Sequence, residues 1–151
     1  MTRAAAIPEE RHISRSPAET HALARRLVER FGLGTVFALH GDLGSGKTCL
    51  VQGMGRALRV RETVASPTFT LINEYHGDCP LYHADLYRVA GTAEALALGL
   101  DEYLEPDGIT VIEWAERAAD GLPAETVHVE LRAGGAEGER EVRIWRDGGA
   151  A

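Results

Sequence analysis

Apolar positions in this chain follow two periods that alternate along its length. Leu23, Leu27 and Phe31 recur at helical spacing and predict an amphipathic helix with one buried face. Ser16-Pro17-Ala18-Glu19 marks its start as a capping box with proline at the first helical position, and Gly32 and Gly34 end it near Phe31. Thr35 to His40 (TVFALH) is a short apolar run between glycines, which predicts a buried strand. A glycine-rich stretch follows, and then a helix from about Lys47 to Leu58. Thr70 to Tyr75 and Leu81 to Asp85 flank the polar turn HGDCP and predict a hairpin. Thr92 to Leu98 predicts a helix and Asp101 to Leu104 a further helical turn. Ile109 to Glu113 (ITVIE) is the second strongly buried strand, and Trp114 to Asp120 a short helix closed by Gly121. Val127 to Arg132 and Glu141 to Trp145 predict a terminal hairpin. Residues 1–12 and 147–151 are expected to be flexible. The whole predicts one α/β domain over residues 1–151.

The stretch between the first buried strand and its helix is GDLGSGKT, Gly41 to Thr48, which fits G-x-x-x-x-G-K-T. That pattern, set between strand and helix, is specific for a P-loop. Gly41, Gly44 and Gly46 let backbone N–H groups turn inward and form an anion nest, to which Asp42, Leu43 and Ser45 add their own amides. The helix N-terminus adds partial positive charge. Lys47 reaches the β- and γ-phosphates, and the Thr48 hydroxyl binds Mg²⁺. The fold expected is a three-layer sandwich like that of P-loop NTPases, with parallel core strands and antiparallel hairpins in one mixed sheet.

Such a site needs an acid beside the metal, commonly at the end of an apolar strand. Glu113 ends ITVIE and is favoured; Asp85 ends LYHAD and is the second candidate, on the metal or on water. If both strands run parallel to TVFALH, the two carboxylates and the loop meet at the carboxyl edge of the sheet. Ser66-Pro67-Thr68 reads equally as a γ-phosphate-sensing switch or as a plain turn. Cys49, in the first turn after the loop, is expected to have its pKa lowered by the helix dipole, and is read as a small residue packed on the sheet before a redox one. Trp114 is expected in core or pocket wall beside Glu113. His40, His76, His83 and His128 have no ligand spacing.

Composition narrows the choices. The chain has 151 residues, 44% hydrophobic and 26% charged, ordinary proportions for a globular protein. No run approaches the roughly 18 apolar residues of a membrane span, and the start resembles no secretory signal. Cys49 and Cys79 form no metal-binding pair, and cytoplasm is the expected compartment. A net charge of −7 argues against autonomous nucleic-acid binding, though not against a role on RNA within a complex. Of sixteen basic residues one, Lys47, is lysine, so the other fifteen are arginines. The N-K-x-D element of guanine-specific enzymes therefore cannot occur, and ATP is the expected nucleotide.

GDLGSGKT, SPTFTLINEY, LYHADLYR, LGLDEYL and VIEWAER, in this order and at these spacings, resemble the TsaE family of small ATPases in bacterial tRNA threonylcarbamoyladenosine (t6A) synthesis. The resemblance runs from about Ser16 to Trp145. It implies a Mg²⁺-dependent ATPase that associates with a TsaB–TsaD pair, meets tRNA only through that complex, and supports its turnover. It implies Thr48 and Glu113 on Mg²⁺, Asp85 as an active-site acid and Thr68 as a switch residue. Thr20, Cys49 and Arg140 join the nucleotide-contacting set, Arg140 from the least matched third of the chain. Ser45 and Cys49 stand where the family often shows Ala and Thr. The competing reading is a small-molecule kinase, which needs an acceptor pocket and usually an arginine-bearing lid.

Overall fold

In the computed structural model the described residues are 5–42, 44–65, 67 and 72–147. Leu43, Ser66, Thr68, Thr70 and Leu71 lie outside them, and with them the switch reading of Thr68, the loop role of Leu43 and the first two residues of the expected hairpin strand. Seven strands form one sheet: β1 (Ile7–Ser14), β2 (Val36–His40), β3 (Ile72–His76), β4 (Pro80–Asp85), β5 (Ile109–Glu113), β6 (Val127–Ala133) and β7 (Arg140–Arg146). Three α-helices accompany them: α1 (Pro17–Phe31), α2 (Lys47–Ala57) and α3 (Thr92–Ala97). Two 3₁₀ segments, Leu100–Tyr103 and Ala115–Gly121, complete the set.

The strand order is β1-β7-β6-β2-β5-β4-β3. The four central strands β6, β2, β5 and β4 run parallel, whereas β3 and the β1–β7–β6 wing pair antiparallel. This is the expected mixed α/β sheet. Helices cover both of its faces. Leu23, Leu27, Leu50 and Met54 of α1 and α2 pack on Phe37, Leu39, Val111 and Val129 of one face. Ala95 of α3, with Ala115 and Ala118 of the second 3₁₀ segment, packs on Ala38, Ala84 and Ile112 of the other. Burial of each large side chain in such a core stabilises the fold by about 1.5–3 kcal/mol.

One expectation fails. Residues expected to be flexible up to about position 12 form a strand from Ile7, which pairs with β7 from Ile7↔Arg146 to Ser14↔Arg140 across one bulge. The segment IPEERHIS buries Ser14 alone, so no alternation betrays the strand; its partner lies over a hundred residues away. β1 then leads directly into α1, where Ser16 Oγ accepts from Glu19 N as the capping box predicts. No helix among the described residues is long and apolar enough to cross a membrane.

Candidate functional site

Parallel pairing brings the predicted chemistry together. β5 lies between β2 and β4, with Leu39 opposite Glu113 and Glu113 opposite Asp85. β2 runs on through His40 into Gly41, so the loop, Glu113 and Asp85 share the carboxyl edge of the sheet. Leu81, His83 and Asp85 alternate with Tyr82 and Ala84 and therefore face the α1/α2 side, as Val111 and Glu113 do.

Gly46 caps α2 in the left-handed region (φ +102°), and neither a capping side chain nor an acidic residue meets its first turn. The amides of that turn therefore have no capping side chain. Gly41 has φ +138°, and a Cβ there would lie 2.5 Å from Leu131 O and 2.7 Å from Ser45 Oγ. We expect Gly41→Ala to destabilise the protein by more than about 1 kcal/mol, because neither the backbone angle nor the main-chain neighbour can yield cheaply. Denaturant unfolding measures this; unchanged stability would mean that the loop approaches β6 less closely.

Ser45 Oγ is buried with no hydrogen-bond partner among the described residues, an orphan polar atom inside the cradle. Lys47 is 5% exposed. Its Nζ donates to Gly41 O at 2.6 Å and lies 4.4 Å from the centre of the Trp114 ring. Trp114 itself takes the left-handed conformation (φ +58°), which costs a bulky side chain about 1–2 kcal/mol. That turn, directly after Glu113, swings the indole onto the loop lysine, and Tyr87 packs on the same ring at 5.0 Å. Trp114 is thus pocket wall, as one of its two expected places had it.

Of the acids, Glu113 is 4% exposed and Asp85 half-buried. Asp85 Oδ1 accepts from Tyr87 N at 2.9 Å, which steadies the turn after β4. Glu113 Oε2 accepts from His83 Nε2 at 2.5 Å. His83 is fully buried and was passed over in the sequence, since its spacing matches no ligand pattern. His40 and His128 were passed over too. They share a hydrogen bond of 2.9 Å and stack with Trp145 beside the loop.

The remaining candidates divide. Arg140 reaches the loop: its Nη2 donates to Gly44 O at 3.3 Å and its Nη1 to Glu139 O at 3.0 Å. Thr20 is buried, and its hydroxyl shares a 2.6 Å hydrogen bond with Ser14 Oγ. Asp42 O accepts from Ser45 N within the loop. Cys49 needs a correction. Its Sγ lies against Pro17 O at 3.9 Å, and burial pushes the thiol pKa up, outweighing Arg56 and Arg140, which pull it down. The activated reading does not hold, and the thiol is half-buried against α1 rather than packed on the sheet. An open cleft of about 710 Å³ borders the loop, walled by Trp114, Glu116 and the end of β6.

Strand, glycine nest and helix N-terminus at the carboxyl edge of a parallel sheet define an α/β fold of the P-loop NTPase kind. Comparison with known proteins makes this narrower. The family profile described as threonylcarbamoyl adenosine biosynthesis protein TsaE matches residues 14–142. The chain belongs to the TsaE family. It is 42% identical to a tRNA threonylcarbamoyladenosine biosynthesis protein TsaE of Treponema pallidum, over 89% of this chain and 98% of that one. Its identity to the protein of that name in Bacillus subtilis is 41%, over 84% and 79%. The crystal structure of YdiB from Bacillus subtilis superposes with a TM-score of 0.76 at 36% identity, covering 95% of this chain and 88% of that one.

Proposed function

We propose that this chain is an ATP-binding, slowly hydrolysing switch subunit of the complex that makes N6-threonylcarbamoyladenosine at position 37 of tRNA, and that it acts on a TsaB–TsaD-like pair. Membership of the TsaE family supports the process. The observation that carries the nucleotide reading is the convergence of an uncapped helix N-terminus, Lys47 and two adjacent strand-end carboxylates at one edge.

The residues present fit ATP with Mg²⁺. Ser45 Oγ is an orphan among the described residues in a cradle that a Cβ at Gly41 would fill, and a helix N-terminus with no capping side chain suits an anion. Mg²⁺ takes one or two carboxylates together with substrate phosphates rather than an all-protein cage. Thr48 and Glu113 would hold it, with Asp85 beside them, and no cluster of three metal-ligating side chains exists among the described residues. When bound, the cation neutralises charge on the transferring phosphoryl group. The chain's own part is positional. The loop amides and Lys47 orient the phosphates, Asp85 orients water, and Trp114 covers the lysine on its apolar side.

The same geometry gives a direct readout. Because the indole lies on Lys47, ATP should change Trp114 fluorescence, and Trp114→Phe should remove the response while Trp145→Phe keeps it. The reverse pattern would move the site to the His40–His128–Trp145 stack. The test of function is ATP turnover by the chain alone, with hydroxyl acceptors, and with the partner pair. A phosphorylated acceptor would install the kinase reading instead.

Glu113→Gln should impair Mg²⁺-dependent turnover more than nucleotide binding, since it removes charge and keeps shape. A larger effect on Mg²⁺ dependence from Asp85→Asn would reverse the ranking of the two acids.

A further inference from the structure

The buried partner of Glu113 has no role in the function so far described. His83 stands two residues before Asp85 on β4, opposite Val111, so its ring reaches diagonally across the strand pair to Glu113. It is 0% exposed and its Nε2 lies 2.5 Å from Glu113 Oε2, while its Nδ1 has no partner among the described residues. A contact that short to a carboxylate places a hydrogen on Nε2.

Packing alone does not account for a histidine here. A leucine would fill the same face of β4, as Leu81 does two positions earlier, without stranding a polar atom in the core. A buried polar atom left without a partner costs about 1–3 kcal/mol. The bond to Glu113 is what the ring gains in exchange. A carboxylate that is 4% exposed also needs a donor to keep its place. With Oε2 held, the carboxyl group cannot rotate freely about its last torsion, and Oε1 is left for a cation.

We propose that His83 is the positioning residue for Glu113: it holds one carboxylate oxygen from behind so that the other meets the divalent cation in a fixed orientation. This rests on the reading of Glu113 as the metal-side acid. Partners behind a metal ligand typically contribute 10- to 100-fold in metal affinity.

The probe is Mn²⁺, titrated into the ATP-bound protein and followed by the loss of its free electron-paramagnetic signal, with ATP affinity measured separately in EDTA. His83→Leu should weaken Mn²⁺ about 10- to 100-fold and change metal-free ATP affinity less than about twofold. His83→Gln places an amide N–H near the position of Nε2 and should restore most of the affinity. His83→Asn, whose amide stops near the level of Nδ1, should not. The asparagine variant keeps the test decisive if leucine impairs folding. Wild-type Mn²⁺ affinity in folded His83→Leu or His83→Asn overturns the proposal. So does a fall in metal-free ATP affinity by the same factor as Mn²⁺, which marks a merely structural role. Glu113→Gln in the same titration separates two failures. If it weakens Mn²⁺ and the His83 variants do not, the positioning role alone falls; if it too has no effect, Glu113 is not the metal acid and both readings fall.

Discussion

Docking of a TsaB–TsaD-like pair should raise ATP turnover by this chain about 10³- to 10⁵-fold over that of the lone protein, the range by which an arginine completes an unfinished P-loop site. The proposed slow intrinsic turnover would follow from how the loop-side cations are held. Arg140 is a loop-side guanidinium, yet among the described residues its hydrogen bonds go to main-chain carbonyls, Gly44 O and Glu139 O. Lys47 is likewise engaged, by Gly41 O and the Trp114 ring. A partner accelerates such a site either by turning Arg140 toward the phosphates or by inserting an arginine of its own. Arg140→Ala separates the two routes: stimulation lost in the variant assigns the first, and stimulation kept assigns the second. Docking and ATP binding should also strengthen one another by the same factor, because coupling between two sites is reciprocal. Turnover and partner affinity are measured with ATP, ADP and no nucleotide. Brisk hydrolysis by the lone chain, or a partner indifferent to nucleotide, would remove the switch reading and return the kinase to first place.

Lys47→Ala should reduce ATP turnover by about 10²- to 10³-fold, the typical cost of one preorganised donor to developing charge. The fold should survive. The substitution removes a hydrogen bond to Gly41 O and a cation over Trp114, and such a contact is worth about 0.5–2 kcal/mol. Lys47→Arg should not rescue turnover, since a planar fork does not fit where a compact ammonium lies against a carbonyl and a ring face. Circular dichroism and thermal unfolding check the fold, and phosphate release checks turnover. A folded alanine variant with undiminished turnover would sink the phosphate-loop reading.

What could be read in the sequence was chemistry that acts over a few residues. Ser16 and Glu19 cap α1 within one turn, the glycines of the loop need only their own backbone angles, and ITVIE is buried whatever its neighbours are. What stayed hidden depends on partners far along the chain. The hydrogen bond from Arg140 spans ninety-six positions to Gly44, and that of His83 spans thirty to Glu113. Neither spacing carries a signal, because strand order sets it. β1 was missed for a related reason: as an outer strand it exposes side chains on both faces, so its ladder to β7, rather than its own pattern, makes it a strand. The helix start at α2 was legible as well, but the burial that raises the Cys49 thiol was not.

The solitary lysine also makes the protein its own chemical gauge. Amine-directed acylating reagents find two kinds of target in a polypeptide, the backbone amine at its start and lysine side chains. Here the second kind is Lys47 alone, 5% exposed and flanked by an indole and a carbonyl. Intact mass therefore resolves the reaction into zero, one or two adducts without any digestion. Where the amine at the chain start reacts first, the rate of the second adduct reports access to Lys47 Nζ, and its suppression by a ligand reports occupancy at that one atom.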